Sequence, residues 1–339
     1  MEEKQYYKEK RISSSSLKYF EQSPLIFKKF LDSELEQEEK SYLTRGKQIH
    51  MAILEPKEFK RNYTYLDFET PKSEQQKQFC EDYIKYRTTV SAYEQNDPFE
   101  NHDDGKFLSE EAALVYAYKD NYKTASKDDK VLELAKELKD KLSKYLDYLS
   151  KRKQFKDILS WTDWSRIQDL KEQSQQHKFA KELLFNNDNV ETFNELVIMW
   201  EDPVYNLPCK SMIDRLIIDH DNKKVILVDL KTANTFKDFK ERCREFSYFR
   251  QMSFYWYAIH WYFINVLHKN IEEYTKETYI VALKTQEEPE VKVYSISEVH
   301  LRDGFTDLQN MFGELDWHWK NDKWNYSRSY YTGDGYEKL

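Results

Sequence analysis

Residues 209–232, CKSMIDRLIIDHDNKKVILVDLKT, decide how this chain folds. Two aliphatic, β-branched runs flank the turn-forming trio His220, Asp221 and Asn222, so the stretch predicts an antiparallel hairpin. Each run is broken by one aspartate, Asp214 in SMIDRLII and Asp229 in VILVDLK. An ionised carboxylate in a strand that otherwise reads as buried is costly unless a cation compensates it, and a divalent metal is the usual one. On neighbouring antiparallel strands the two aspartates can lie side by side, and strand alternation puts Lys231 on the same face as Asp229. Taken singly, Asp214 can pair with Arg215 or Lys210 at a strand end, and Asp229 with Lys231 across a half-exposed face. Taken together, two carboxylates and an ammonium converging on one spot favour a hard divalent ion such as Mg²⁺ or Mn²⁺. Such an ion can hold a phosphate oxygen and activate water beside a lysine that orients that water or neutralises developing charge.

Outward from the hairpin, ETFNELVIMWED at 191–202 adds a third strand ahead of the Pro203 to Pro208 turn. A helix from about 237 to 267 follows, then strands at 278–284 and 291–297 and a helix near 298–319. The order is a mixed α/β core, αβββαβ, over 187–320. Before it lies a largely helical region, 1–186, and after it a tail, 321–339, the whole expected as one compact unit. In the early part, four serines open a helical run over 12–31 that breaks at Pro24, and serines are preferred N-caps. The stretch LTRGKQIHMAILEP predicts a helix stopped by Pro56, with Gly46, His50 and Ile53 or Leu54 on one face.

Composition removes several function classes. The formal charge is 53 − 61 = −8, and aromatics at 16% supply a large core, so the 34% of charged residues does not signal disorder. The six glycines, at 46, 105, 304, 313, 333 and 335, leave no place for a GxGxxG turn or a phosphate loop, so no nucleotide cofactor is expected. Three scattered cysteines, Cys80, Cys209 and Cys243, argue against a disulfide framework and a four-cysteine cluster, and for a reducing, cytoplasmic setting. The most apolar run, 252–267, carries Ser253, His260 and Asn265 and is too short and polar to span a bilayer. Between Lys231 and Arg250 there are six basic residues against three acids, a local +3 that could receive phosphates.

The spacing MID-x14-DLK, with Glu195 upstream, resembles the PD-(D/E)xK nuclease core. A histidine in RGKQIH and the pair Gln251 and Tyr255 after the lysine strand narrow the likeness to the RecB-like branch. ISSSSLKYFEQSPLIFKKF with GKQIHMAILEP is most similar to the exonuclease VIII (RecE-like) nucleases of phages and prophages, over about residues 12–315. The resemblance implies Asp214, Asp229 and His50 as metal ligands, Glu195 as an acid assisting a second metal, and Lys231 as the catalytic lysine. It places Gln251 and Tyr255 in the cleft. Ser14, Ser15 and Arg45 at the early helix start, with Arg215 and Lys237, are the expected phosphate contacts. A histidine ligand should make Mn²⁺ bind better than Mg²⁺ and make binding weaken through the histidine's own range near pH 6 to 7. The function implied is an Mg²⁺-dependent exonuclease on double-stranded DNA ends, 5′ to 3′, acting as a ring-shaped homo-oligomer that supplies single strands to an annealing recombinase. The alternatives are a structure- or sequence-selective endonuclease on the same core, and a DNA-end-binding or recombinase-docking module without catalysis.

Overall fold

The computed structural model describes residues 3–35, 41–65, 68, 70–88, 108–151, 157–185 and 188–336. The chain forms two compact units, Met1–Pro56 with Arg166–Leu339, and Lys57–Ser165 between them. The sequence reading grouped 1–186 as one helical region; the division falls elsewhere because the N-terminal helices belong with the sheet. Ile12 forms a parallel bridge with Cys209, and Ile12, Leu17 and Phe27 are fully buried in the sheet's main core.

The helices of this first part are α1 (Glu3–Lys8), α2 (Ser14–Gln22), α3 (Pro24–Leu31) and α4 (Ser41–Leu54). Ser13 closes a capping box with Ser16 on α2. Ser23 ends α2 and caps α3, its hydroxyl accepting from Ile26 N–H, while Pro24 sits where its missing N–H costs nothing. The second unit holds most of α5 (Pro56–Asn62), then β1 (Tyr63–Tyr65), α6 (Glu74–Thr88), α7 (Glu110–Tyr122), α8 (Asp128–Lys141), α9 (Ser143–Lys151), β2 (Asp157–Leu159) and the start of α10 (Trp161–Gln176). Its helices close on a core of Phe79, Cys80, Ala112, Leu114 and Leu149, and β1 and β2 pair in parallel.

The rest of the first unit runs α11 (Lys178–Leu184), β3 (Glu191–Glu201), β4 (Pro208–Asp219), β5 (Lys224–Ala233), α12 (Phe239–Glu245), α13 (Tyr248–Tyr262), β6 (Thr275–Lys284), β7 (Glu290–Ser295), α14 (Glu298–Asn321) and α15 (Arg328–Thr332). The sheet order is β3-β4-β5-β6-β7, antiparallel except for the parallel pair β5 and β6. A parallel pair needs a crossover, which α12 and α13 supply. β4 is buried along most of its length and β5 over Leu227–Leu230, and for that reason they read as continuous aliphatic runs rather than alternating ones. This is the mixed α/β architecture, a five-stranded mixed sheet flanked by helices, expected from the sequence.

One expectation needs correcting. The helix read at 237–267 is two helices, because Phe239 and Cys243 of α12 bury against Ile280, Ala282 and Ile296, whereas α13 buries Met252, Phe254 and Ile259 in the main core. Two different burial partners require a bend, and Ser247, at φ 56°, makes it. A Cβ on Gly304 would lie 2.5 Å from Phe249 O, so α14 packs on α13 more closely than any side chain there would allow. All three cysteines are buried and unpaired. Among the described residues no helix is long and apolar enough to cross a membrane.

Candidate metal centre

The site is built where the sheet's pairing opens. The β3–β4 register is constant on both sides, with Asn194 opposite Arg215 and Leu196 opposite Ile213, which carries Glu195 opposite Asp214 without a ladder pair between them. Glu195 has φ 48°, a left-handed conformation that costs a non-glycine residue about 1–2 kcal/mol and interrupts the ladder at this position. On the other side of β4, pairing with β5 stops at Arg215 and Val228, and Leu230 N–H donates to Asp214 Oδ2 at 2.7 Å. A strand that gives up two ladder positions at one carboxylate has exchanged regularity for a site.

His50 reaches this gap from α4. Its Nδ1 lies 3.7 Å from Asp214 Oδ2. The approach depends on Gly46 one turn earlier, where an added Cβ would sit 3.3 Å from Thr232 Oγ1 of β5. Donor atoms of His50, Glu195 and Asp214 all lie within 4.8 Å of one another, so these three residues can hold one metal ion.

Asp229 and Lys231 lie beside the trio. Asp229 is fully buried, and Lys231 Nζ stands 2.5 Å from its Oδ2. Oδ2 is held by that ion pair, while Oδ1 is buried without a partner among the described residues. Tyr248, at the start of α13, covers Lys231 with its ring 5.0 Å from Nζ. One turn and two turns further on, Gln251 Nε2 donates to Tyr255 Oη at 2.9 Å, and Tyr255 feels the charges of Asp229 and Asp214.

Burial dominates the electrostatics. It pushes Asp214 up, against the pull of Lys231 and the Leu230 N–H. Asp229 rises to about 6, through burial first and the neighbouring Asp214 carboxylate, with Lys231 opposing. For Lys231 burial acts downward, but Asp229 and Asp214 outweigh it and hold the ammonium above its usual value. His50 falls to about 4, from burial and then from Lys231. The imidazole is therefore neutral at ordinary pH and its lone pair is free for a metal. One nitrogen and two carboxylates in reach of each other, with the buried Asp229 Oδ1 left without a partner alongside, fit a divalent cation.

The pH dependence expected from the sequence moves accordingly, from the histidine's own range to Asp229. Below about pH 4 Asp229 is protonated in the folded and unfolded chain alike. As pH rises from about 4 to about 6 the unfolded chain ionises first, and metal-free stability falls by up to about 3 kcal/mol, the equivalent of a shift from 3.8 to about 6. A cation that favours the ionised carboxylate reverses this loss. The Tm rise on adding Mn²⁺ is thus expected to be small at pH 5 and large at pH 7.5, with its midpoint near 6. Differential scanning fluorimetry across that range checks it, and an equal rise at both ends removes Asp229 from the metal-linked groups.

The expected phosphate contacts divide. Ser14 and Ser15 open α2, and the capping box leaves their N–H groups without an acceptor among the described residues. Arg45 lies on α4, half-buried, and Lys237 is exposed before α12. Arg215 is not available to a phosphate: it is 1% exposed, with Nε donating to Leu183 O at 2.6 Å and Nη1 to Asn194 Oδ1 at 2.8 Å. Arg250, counted in the basic lead-in, is also buried, bonded to Glu21 and Asp307. With Lys231 and Arg250 turned inward, that lead-in presents Lys237, Lys240, Arg244 and the half-buried Arg242 against the exposed Asp238, Glu241 and Glu245, so the local excess of +3 falls to 4 − 3 = +1. Two neighbours of the site escaped sequence reading. Tyr248 sits in an aromatic stretch that carries no mark of a site, and Lys18, lowered by burial and then by Lys231 and Arg250, stands in the field of Lys231 from α2.

A family model described as a PDDEXK-like domain of unknown function (DUF3799) matches residues 13–328. Among solved structures the chain is similar to a candidate exonuclease from Eubacterium rectale, at 12% identity and a TM-score of 0.37, covering 80% of this chain and 96% of that one. No curated protein matches it.

Proposed function

The chain belongs to the PDDEXK-like domain family, and from that premise we propose that it is an Mg²⁺-dependent exodeoxyribonuclease that degrades linear double-stranded DNA from its ends, 5′ to 3′. The observation that carries this reading is the His50, Glu195 and Asp214 cluster standing beside the buried Asp229–Lys231 pair.

A divalent cation held by His50, Glu195 and Asp214, with Asp229 adjoining, would supply Lewis-acid polarisation of a phosphate oxygen and a more acidic water. The chain's own groups do the rest. Lys231, kept protonated by Asp229 and Asp214, is a fixed positive charge for the negative charge that develops at the reacting phosphorus, and a donor that orients the attacking water. Tyr248 shields that ammonium from solvent, which strengthens its field. Tyr255, held neutral by burial and the two aspartates and fixed by Gln251, presents an O–H rather than a phenolate to the cleft. Mn²⁺ substitutes for Mg²⁺ because imidazole nitrogen suits it better.

Lys237, Lys240 and Arg244 are the exposed cations of the α12 segment and the candidate contacts for DNA phosphates there. Enclosure of the duplex by a homo-oligomeric ring, and transfer of the exposed single strand to an annealing recombinase in the cytoplasm of a bacterial or phage-infected cell, complete the proposal. Digestion of end-labelled linear duplex beside supercoiled closed plasmid tests it. Ladder-like loss from one end with the plasmid untouched is expected; nicking of the plasmid selects an endonuclease.

A 5′-phosphate should be preferred. The free amides of Ser14 and Ser15 at a helix start and the Arg45 guanidinium favour a dianion, and charge-assisted hydrogen bonds of about 1.5–3 kcal/mol give about tenfold or more in initial rate over a 5′-hydroxyl end. Rates on phosphorylated and dephosphorylated linear DNA check this, and Arg45→Ala should shrink the ratio. A ratio of one removes the phosphate pocket.

A further inference from the structure

Three of the proposed metal ligands come from three separate elements. His50 rides on a helix, Glu195 sits in a strained break of β3, and Asp214 faces an opened ladder. Beside them runs a chain of hydrogen bonds that uses neither a ligand nor the metal. Arg215, the residue after Asp214, donates from Nη1 to Asn194 Oδ1 at 2.8 Å, and Asn194 is the residue before Glu195. Asn194 Nδ2 donates at 2.7 Å to Leu54 O, one helical turn beyond His50. Arg215 Nε donates at 2.6 Å to Leu183 O of α11, anchoring the guanidinium from behind. The amide orientation of Asn194 is fixed by chemistry, since a guanidinium requires an acceptor and a carbonyl a donor.

The geometry of α4 shows what this chain of bonds accomplishes. Gly46, His50 and Leu54 fall at i, i+4 and i+8 on one helical face. Gly46 lies against Thr232 of β5, Leu54 O is tied to Asn194 of β3, and His50 meets Asp214 of β4 between them. The helix therefore lies across three strands, pinned at both ends with the imidazole in the middle. At the first end the pin is steric, and at the second it is the Asn194 amide, itself held by a guanidinium only 1% exposed.

We infer that Asn194 and Arg215 are positioning residues that set His50 over Glu195 and Asp214, so that the three donors form one site rather than a carboxylate pair with a nearby histidine. The inference rests on the metal-dependent reading above. Because Asn194 holds α4 through a single amide donor, that donor can be removed without disturbing the strands: Asn194→Asp keeps the acceptor for Arg215 and turns the Leu54 contact repulsive.

The test is a double-mutant cycle on Mn²⁺ affinity, measured by titration calorimetry on the full chain. Wild type, Asn194→Asp, His50→Ala and the double variant are compared. Loss of a group that orients a ligand costs about 10–100-fold in metal affinity, so Asn194→Asp should weaken Mn²⁺ binding about tenfold or more. In the His50→Ala background the same change should add less than about twofold, since there is no imidazole left to position. General loosening of the fold would instead multiply the two effects. Hydrogen exchange on the metal-free protein gives a second readout: amides of residues 50–54 should exchange faster in Asn194→Asp and not in His50→Ala. Arg215→Lys, which cannot bridge Leu183 and Asn194 at once, should move affinity and exchange in the same direction, and it is the safer test than removal of the buried charge. Wild-type Mn²⁺ affinity in Asn194→Asp, or multiplicative effects, overturns the clamp and leaves the metal site standing. Absence of any Mn²⁺ binding by wild type overturns the metal reading and the clamp with it.

Discussion

Asp229→Asn and Lys231→Ala are each expected to slow phosphodiester cleavage by about 1000-fold or more, equivalent to about 4 kcal/mol of barrier, while the chain stays folded. The two substitutions act on different halves of one electrostatic device. Asp229→Asn preserves shape and removes a carboxylate whose ionisation the buried site disfavours. It should therefore raise metal-free stability near pH 7 even as it removes activity, because the charge that is costly to the fold is the one required by the chemistry. Lys231→Ala does the opposite, leaving a buried acid without its cation, and Asp229 should then rise further and the metal-free protein lose stability at neutral pH. Single-turnover release of nucleotides from linear duplex in Mg²⁺, paired with thermal unfolding in the absence of metal, separates these outcomes. Wild-type turnover in Asp229→Asn would falsify the assignment of the site.

Removing divalent cations with a chelator is expected to abolish cleavage entirely, and Ca²⁺ is expected to restore DNA binding but not turnover. The donors in reach are two carboxylates and a neutral imidazole, with Asp229 alongside. They compensate the charge of any hard dication, so binding should tolerate the exchange. Catalysis should not, because Ca²⁺ takes looser and longer coordination, about 2.3–2.6 Å against 2.0–2.1 Å for Mg²⁺, and displaces the polarised oxygen from Lys231. Gel shift and rate measurements in Mg²⁺, Mn²⁺ and Ca²⁺ give the comparison. Equal rates in all three would count against direct participation of the ion.

Much of this was present in the sequence. Asp214 and Asp229 betray themselves because a carboxylate inside an aliphatic strand is a local contradiction, visible without any fold. The sheet order of the hairpin followed from the turn trio, and Pro24 and Pro56 marked helix ends through chemistry that acts within a few residues. The same local reading failed where a residue's role depends on what it buries against. The run 237–267 has continuous helical character, and only two separate hydrophobic clusters explain its break at Ser247. Arg215 reads as a phosphate ligand because it is basic and adjoins Asp214, yet the sheet turns it inward to Leu183 and Asn194.

Local chemistry thus determined which residues are anomalous: the aspartates, the lysine two residues after Asp229 in the same strand, and the histidine after a helical glycine. Only the tertiary structure decided which of them meet. Whether His50 reaches Asp214 depends on α4 lying across three strands, and whether Glu195 joins them depends on the β3–β4 register that sets it opposite Asp214. Neither is encoded within one stretch of chain, because each is set by long-range packing that fixes distances between residues far apart in sequence.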